Sequence, residues 1–343
     1  MMRIDRILTA VLVVLVSTAI VGFSTGNTGA SFTGATTNPA QILNTQSVTP
    51  PASFTSATSA IAGRIDLVWT ATTSAAGSHT LTYLVLRGPV GGPYAQVGTT
   101  AGLTYSDTPG ADGTYEYVVQ TKIAQGSGFF TSGNSATKNT KSDRTAPTMS
   151  ATCNGGSCAG WFNTSVTFVV SGGDGAGVGM GTATTNIDSA GATTSAAPRT
   201  VTVSGESATH SVVYSGADAV GNASGNTSQT VKIDLTAPTN ATSLAAATPG
   251  AGGTAGTVNL TWTAGSDALS GLAGYTVYRS GVVASCPVAT PANYPTTLIV
   301  GAVTSAAPSG MTSNSKYCFY ITATDNAGNV SAASAAVGPT KAK

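Results

Sequence analysis

Two short motifs combine carboxylate and amide side chains in a pattern that could bind calcium. They are Asp218-Ala-Val-Gly-Asn222 and Asp325-Asn-Ala-Gly-Asn329, and both read Asp-x-x-Gly-Asn. Two more aspartates, Asp174 and Asp267, lie upstream of them. Calcium takes about six to eight oxygen ligands, and these side chains supply only part of that number. Asp and Asn also form hydrogen-bonded turns and tolerate left-handed backbone, and we favour that structural role over a structural Ca²⁺.

The remaining reactive residues form no catalytic pattern. His210 has no nucleophile partner by motif, and no Gly-x-Ser-x-Gly turn occurs, so we expect His210 to be structural. His79 lies in a Gly-Ser-His-Thr turn and is expected to be solvated. No glycine-rich phosphate loop follows a strand and opens a helix. We therefore expect a protein that is not an enzyme and needs no catalytic cofactor.

The composition indicates an all-β protein with an unusually uncharged surface. Charged residues are 8% of the 343 residues, and the formal net charge is +1. This balance gives no electrostatic basis for binding nucleic acid or anionic lipid. The 42 glycines and 15 prolines supply turns, and no apolar stripe of helical period occurs beyond the N-terminus. The length allows two or three domains.

The N-terminal segment has the architecture of a secretory signal. Arg3 and Arg6 precede an apolar run from Ile7 to Phe23, and small residues follow. As a helix the run would span roughly 25 Å, short of the ~30 Å hydrocarbon core, so we favour cleavage over retention. Residues 1–30 are therefore predicted to be a signal helix and 31–47 a linker. If the helix is retained, it is the expected membrane contact, since residues 338–343 carry no sorting motif.

An internal repeat relates the first and last thirds of the chain. Gly63-Arg-Ile-Asp-Leu-Val-Trp69 matches Gly256-Thr-Val-Asn-Leu-Thr-Trp262, and Tyr83-Leu-Val-Leu-Arg87 matches Tyr275-Thr-Val-Tyr-Arg279. A third matched pair of strands begins at Tyr115 and Tyr317. Three strand-like matches in one order indicate a single fold used twice.

These repeated strands resemble the fibronectin type III domain. The resemblance implies one β-sandwich over residues 48–142, called module 1, and another over 237–340, called module 3. It also implies that Trp69 and Trp262 are core residues rather than sugar-stacking platforms. Tyr115 and Tyr317 would be tyrosine-corner residues, whose hydroxyls bond back to the backbone.

The middle of the chain, residues 143–236, is called module 2 and resembles a bacterial immunoglobulin-like repeat. The matching features are Gly160-Trp161, the glycine-rich stretch from Gly172 to Gly181, and the run from His210 to Asn222. A weak third strand is expected within Thr182 to Ile187. The fold class predicted for the whole chain is thus all-β, with tandem immunoglobulin-like and fibronectin type III sandwiches after the signal helix.

Four cysteines in an exported chain predict two disulfides, for which three connectivities are possible. We favour Cys153–Cys158 and Cys286–Cys318, because each pair then lies within one module. In module 3 the bond would staple a long loop over the outer face of the sheet. A zinc site would need more ligands than the two histidines provide.

Two nearly identical linkers separate the modules. Asp143-Arg-Thr-Ala-Pro-Thr148 and Asp234-Leu-Thr-Ala-Pro-Thr239 begin 91 residues apart. Proline fixes its own φ and biases the preceding alanine toward extended backbone, so each linker should be short and semi-rigid.

In sandwiches of this kind, the loops after the second and sixth strands share a pole. That placement would bring Asp174 toward Asp218, and Asp267 toward Asp325.

The last hairpin of module 1 carries two adjacent aromatic residues, Phe129 and Phe130. Neighbouring residues of a strand point to opposite faces, so one of the two should be exposed. We favour packing on a neighbouring loop, and the alternative is a binding tip.

These features together favour a secreted or cell-surface protein that does not catalyse. Residues 30–39 also resemble the segment after an atypical signal in Gram-positive exported proteins. The leading hypothesis is adhesion, surface assembly or spacing. The alternatives are an accessory role in extracellular polysaccharide binding or degradation, and a membrane-tethered protein with a retained signal helix. The partner, a cell-surface protein or a polysaccharide, is not identified by any motif.

Overall fold

The computed structural model describes residues 47–343 apart from 59–60, 75, 78 and 126. The described residues form strands and turns with no helix, which confirms the all-β prediction. It follows that none of these residues forms a helix able to cross a membrane. The predicted signal, residues 1–30, and nearly all of the 31–47 linker lie outside the described residues.

The chain divides into two compact units. The first contains residues 1–145 with 176–178 and 220–222, and the second contains 146–175, 179–219 and 223–343. The first unit has one apolar core, formed by module 1. The second has separate cores for modules 2 and 3, so the described residues build three β-sandwiches.

Module 1 is a sandwich of two antiparallel sheets. Its strands are β1 (Phe54–Thr58), β2 (Ile65–Trp69), β3 (Leu81–Gly88), β4 (Ala95–Thr100), β5 (Thr104–Asp107), β6 (Gly113–Gln125), β7 (Gly128–Thr131) and β8 (Lys138–Ser142). One sheet has the order β1-β2-β5, and the other has β4-β3-β6, with β7 and β8 both paired to β6. The apolar alternation of β2 buries Ile65, Leu67 and Trp69 against β3 and β6.

Module 2 has a larger second sheet. Its strands are β9 (Thr148–Cys153), β10 (Trp161–Phe162), β11 (Val166–Gly173), β12 (Met180–Ile187), β13 (Thr193–Ala196), β14 (Arg199–Val203), β15 (Ser207–Asp218) and β16 (Thr227–Ile233). The sheet orders are β14-β11-β9 and β10-β16-β15-β12-β13, and β10 pairs with β16 in parallel. The weak third strand expected from the sequence is β12. In the core, Phe168 and Tyr214 meet edge to face at 5.9 Å.

Module 3 repeats the strand order of module 1. Its strands are β17 (Thr242–Ala247), β18 (Asn259–Thr263), β19 (Leu272–Arg279), β20 (Thr296–Gly301), β21 (Ser305–Ala306), β22 (Lys316–Asp325) and β23 (Val337–Lys341). The sheet orders are β17-β18-β21 and β20-β19-β22-β23. The ring of Trp262 lies edge-on to that of Tyr275 at 5.3 Å, as the ring of Trp69 does to that of Tyr83 at 5.5 Å. Both tryptophans are buried core residues.

Both predicted disulfides are confirmed, and no described cysteine is free. Cys153–Cys158 closes a small loop before Trp161. Cys286–Cys318 ties the loop between β19 and β20 to the outer face of β22, with Cα atoms 5.5 Å apart. Beneath this loop lies a satellite core that includes Tyr294, Tyr320 and partly buried Tyr278.

Serine side chains accept hydrogen bonds from backbone N–H groups of strand β6 in module 1 and strand β22 in module 3. In module 1 the hydroxyls of Ser132 and Ser135 accept hydrogen bonds from the backbone N–H groups of Thr121 and Val119, both at 2.9 Å. In module 3 Ser331 and Ser334 do the same for strand β22. The serines satisfy strand donors where the following segment leaves the regular ladder.

Candidate functional site

The first residue of each linker is a buried aspartate that bonds to three segments. The carboxylates of Asp143 and Asp234 accept the backbone N–H two residues ahead, from Thr145 at 3.0 Å and from Thr236 at 3.1 Å. Both aspartates are at most 1% exposed. From the sequence, this motif was predicted only to mark a boundary between modules, although the aspartate at the same place in both copies is a signal of a shared structural role.

The other bonds of these aspartates also occur in both copies. Asp143 Oδ2 accepts the N–H of Val178 at 2.8 Å, and its carbonyl oxygen accepts Nδ2 of Asn222 at 3.2 Å. Asp234 Oδ2 accepts the N–H of Ser270 at 3.0 Å, and its carbonyl oxygen accepts Nδ2 of Asn329 at 2.9 Å. The Asn of each Asp-x-x-Gly-Asn motif is therefore a hydrogen-bond donor to the linker, with its amide nitrogen turned toward it.

In the second compact unit, the carboxylate of Asp234 lies beside those of two residues that were considered as calcium ligands, Asp267 and Asp325. Carboxylate oxygens of Asp234, Asp267 and Asp325 lie within 4.8 Å of one another. We call these three residues the acidic junction. They come from the linker, from the loop after β18 and from the end of β22. The sequence predicted that the loops after the second and sixth strands would lie at one pole. In module 3, Asp267 and Asp325 of these loops do lie close together.

Each carboxylate of the acidic junction also organises a turn. Asp267 Oδ1 accepts the N–H groups of Leu269 at 3.1 Å and Gly271 at 2.6 Å. Asp325 Oδ1 accepts the N–H groups of Ala327 and Asn329 at 2.9 and 2.8 Å. The turn-forming role favoured from the sequence is therefore present at these positions.

Within the part of the chain that the structure describes, the charges of the acidic junction are not paired with basic side chains. Among the described residues, the ion pairs involve other carboxylates. Burial acts to raise the pKa of Asp234, but hydrogen bonds from Ser270 and Thr236 outweigh it, so this pKa lies below its usual value. Beside the junction is a cavity of about 420 Å³, lined by residues that include Glu206, Thr239 and Ser266. Three mutually close carboxylates are a donor set that suits calcium, and the ligands still needed would come from water or backbone carbonyls.

The other predicted calcium residues are divided between the two compact units. Asp174 follows β11, and its Oδ2 accepts the N–H of Gly179 at 2.7 Å. Asp218 is buried at the end of β15. Asn222 is buried and donates to the linker as described above.

His210 bridges a turn and a loop within module 2. Its Nδ1 lies 2.7 Å from Asp188 Oδ2, and its Nε2 lies 3.1 Å from the carbonyl oxygen of Gly205. Asp188 has a left-handed backbone with φ of 49° and also accepts the N–H of Ser211. No nucleophile is among these partners, and the contacts are those of a structural histidine.

Both predicted tyrosine-corner residues bond back to the backbone before their strand. Tyr115 Oη donates to the carbonyl oxygen of Ala111 at 3.0 Å, and Tyr317 Oη accepts the N–H of Thr312 at 3.0 Å. The guanidinium groups of Arg87 and Arg279 lie 5.2 and 5.5 Å from the centroids of these two rings. The arginine that ends each Tyr-x-Val-x-Arg repeat thus packs on the tyrosine-corner residue of the same module.

The aromatic hairpin of module 1 departs from the expectation that one ring would be exposed. Phe129 is 54% exposed and Phe130 is 37% exposed. Phe130 pairs with core-facing Ile123, but it lies at the tip of the hairpin, where it gains little cover. Phe129 lies on the other face, with Lys122 Nζ 4.3 Å from its ring centroid. Gln120 and Asn134 bond to each other at 2.8 Å on strand β6 and the segment that follows the hairpin. The hairpin thus presents two aromatic side chains to solvent.

Comparison with known proteins gives one match at the level of sequence. No protein-family model matches the chain. Exoglucanase B of Cellulomonas fimi is 33% identical over 290 residues, which cover 79% of this chain and 24% of that protein. The chain therefore spans about a quarter of the length of this relative.

Two solved structures cover most of the chain at low identity. The crystal structure of the FN1-FN3 domains of chicken CNTN1 has a TM-score of 0.39 and 14% identity, covering 84% of this chain and 97% of that one. The structure of domains A168-A170 from titin has a TM-score of 0.38 and 13% identity, covering 82% and 94%.

Proposed function

We propose that this protein is a non-catalytic, extracellular array of β-sandwiches that acts as an accessory to polysaccharide-directed proteins. The observation that carries the proposal is the 33% identity to Exoglucanase B over 79% of the chain. Two disulfides fit an oxidising compartment. The His210 site, which carries the one described histidine–carboxylate pair, has the geometry of a structural contact.

The aromatic hairpin supports this assignment over adhesion to a cell-surface protein, which is the other candidate. Phe129 is 54% exposed with Lys122 Nζ over its ring, and the adjacent Phe130 is 37% exposed. Pyranose rings bind proteins through such aromatic surface combined with hydrogen-bonding side chains. The proposal therefore places polysaccharide contact at the Phe129–Phe130 hairpin.

Co-sedimentation with insoluble polysaccharides tests the function. The full chain is mixed separately with cellulose, with chitin and with isolated bacterial cell walls, and the bound fraction is measured. We expect binding to at least one polysaccharide, weakened about tenfold or more by Phe129→Ser and Phe130→Ser. Val90→Ser is the matched control, because Val90 is 57% exposed in another turn of module 1. Binding to intact cells but to none of the polysaccharides would support adhesion instead.

A second proposed role, for the acidic junction, is to hold a structural calcium ion. The specific observation is that three mutually close carboxylates have no basic partner among the described residues. The ion would compensate their repulsion and stabilise the junction between modules 2 and 3. The two N–H groups bonded to Oδ1 of Asp267 and the two bonded to Oδ1 of Asp325 would keep their acceptors, since the other carboxylate oxygen, Oδ2, can bind the ion.

Thermal unfolding with and without calcium tests this role. We expect the midpoint Tm to rise when about 1 mM CaCl₂ replaces a chelator, because a ligand that binds the folded state stabilises it. Asp325→Asn should remove most of the calcium-dependent rise, whereas Asp112→Asn in module 1 should leave it. Equal midpoints with calcium and with chelator would show that the aspartates act only in turns.

A further inference from the structure

Strand β20 is an exposed edge strand that contains no charged residue, no proline and no bulge. It lies at the end of its sheet and pairs only with β19, in an unbroken register from Arg279↔Thr296 to Gly274↔Gly301. Its six residues, Thr-Thr-Leu-Ile-Val-Gly, are uncharged. Ile299 is 81% exposed and Leu298 is 38% exposed. An uncharged edge strand of high β propensity is a template for strand addition.

The corresponding edge of module 1 is protected in two ways. Strand β4 has a bulge, because its register against β3 shifts between Val85 and Leu86. Tyr105 also donates its hydroxyl proton to the carbonyl oxygen of Val97 on β4, at 2.9 Å. A bulge twists an edge away from partners, and the Tyr105 hydroxyl competes with an added strand for the carbonyl oxygen of Val97.

The corresponding edge of module 2 is protected by its length and composition. Strand β13 has four residues, Thr-Thr-Ser-Ala, and none is apolar beyond alanine. An arginine contacts a threonine hydroxyl on both strands, since Arg199 donates to Thr193 Oγ1 at 2.6 Å and Arg279 donates to Thr296 Oγ1 at 3.4 Å. Within the described residues, β20 differs from its two counterparts in combining six residues, an unbroken register and exposed apolar side chains.

A cavity lies along the inner side of the β20 edge. Its volume is about 190 Å³, and its lining includes Leu298, Val277, Ala307 and Pro308. Arg279 also lines it but is engaged, since it donates to the carbonyl oxygen of Ser309 at 2.8 Å. A strand added to β20 would direct alternate side chains toward this cavity and the others beside Ile299.

We propose that β20 pairs with β20 of a second copy of this chain, antiparallel and related by a two-fold axis. Residues opposite each other in such a pair point to the same face, so Ile299 can face Ile299 of the copy. In that register Leu298 lies opposite Val300, on the side of the cavity. The register buries the most exposed apolar residue of the strand. A second copy is favoured over a charged partner because β20 meets its own image with no like-charge repulsion, and a two-fold contact closes without forming a filament.

The pairing is expected to be weak and reversible. Two short strands bury less than the roughly 1,200–2,000 Å² of a standard stable interface. The affinity should therefore lie in the roughly micromolar range or weaker. This property is separate from the proposed polysaccharide role, which concerns module 1.

Sedimentation velocity over a range of concentrations tests the self-association. We expect the full chain to shift from monomer toward dimer as its concentration rises from about 1 µM to a few hundred µM. Ile299→Lys should weaken the dimer at least tenfold, and Val90→Lys should not. Circular dichroism and thermal melts verify that both variants fold. A chain that stays monomeric over this range overturns the proposal. Strand β20 would then be available for pairing only with a strand of a different protein.

Site-specific crosslinking tests the register. Under mild oxidation, Ile299→Cys should yield a covalent dimer, because directly opposite residues bring their Cβ atoms to about 4.5–5.5 Å. Val282→Cys is the matched control, since Val282 is 64% exposed in the same module but lies outside the strand. A dimer that neither responds to Ile299→Lys nor crosslinks through Ile299→Cys would assign self-association to another surface.

Discussion

His210 has a hydrogen-bond acceptor at each ring nitrogen, the carboxylate of Asp188 and the carbonyl of Gly205. Only the doubly protonated imidazolium can donate to both. Burial acts to lower the pKa of His210, but the bonds to Asp188 and Gly205 outweigh it and raise that pKa above 6.5. The hydrogen bond from His210, with one from Ser211, lowers the pKa of Asp188 below 3.8.

The stability contributed by this pair should depend on pH. The histidine contribution is complete below about pH 6.5, the ordinary value, and is lost as pH rises through its raised pKa. The aspartate contribution is complete above about pH 3.8 and is lost as pH falls through its lowered pKa. We expect the Tm difference between the parent chain and His210→Gln to be greatest near pH 5–6 and to shrink by pH 9. His79→Gln is the control, and a difference that does not vary with pH would contradict the ionised pair.

The sequence predicted some of these residues better than others. Tyr115 and Tyr317 stood out because a repeated pattern fixes where each strand begins. The partner of His210 could not be predicted, since Asp188 lies in a left-handed turn 22 residues away and belongs to no motif. Asp234 was missed because its linker pattern indicated a boundary. Its carboxylate function depends on loops that are distant in sequence.

At the scale of elements, the loop between β19 and β20 gives module 3 a second small core outside its sheet. Tyr294 is fully buried there, and its hydroxyl donates to the carbonyl oxygen of Pro287 at 3.0 Å. Its ring lies edge-on to Tyr320 at 4.9 Å, and Tyr320 stacks on Tyr278 at 4.4 Å. The sequence predicted the disulfide staple from the longer spacing in module 3. It gave no sign of the tyrosines under the loop, because their contact depends on the path of the loop across the outer face.

Replacing Tyr294 should destabilise this loop. Truncating a large buried aromatic residue typically costs about 3–5 kcal/mol, so Tyr294→Ala should lower the free energy of unfolding of module 3 by that order. Urea denaturation measures the loss, and limited proteolysis should cut within residues 281–293 sooner than in the parent. Val288→Ala provides the control, since Val288 is 77% exposed. Unchanged denaturation in Tyr294→Ala would mean that Cys286–Cys318 alone holds the loop.

At the scale of the whole molecule, Asp234 makes the linker between modules 2 and 3 a hydrogen-bonded connection rather than a flexible tether. In the second compact unit, the carboxylate of Asp234 accepts the N–H of Ser270, and its carbonyl oxygen accepts Nδ2 of Asn329. Both donors belong to module 3. Glu206 of module 2 accepts the N–H groups of Leu235 and Thr236 at 3.1 Å. These bonds link modules 2 and 3 energetically, so the two should unfold together.

Calorimetry of the full chain tests the coupling. Asp234→Ala removes the acceptor of the partly buried bonds from the N–H groups of Thr236 and Ser270, and each loss of this kind costs about 1–3 kcal/mol. We expect the shared transition of modules 2 and 3 in the parent to broaden or split in Asp234→Ala. Leu235→Ala, at an exposed neighbouring position, should leave the shared transition of modules 2 and 3 unchanged. Two separate transitions already present in the parent chain would rule out the coupling.

The serine hydroxyls that complete strands β6 and β22 have a consequence for how the fold can change. Ser132 also bonds through its N–H to Thr121, as Ser331 does to Ala323, so the hairpin in each module is closed by the same pair of contacts. Between these contacts the hairpin of module 1 is three residues longer than that of module 3. Because the serines fix both ends, the tip can lengthen or shorten while the strands behind it keep their register. The position should therefore accept grafted peptides, which makes this sandwich a scaffold for displaying foreign loops.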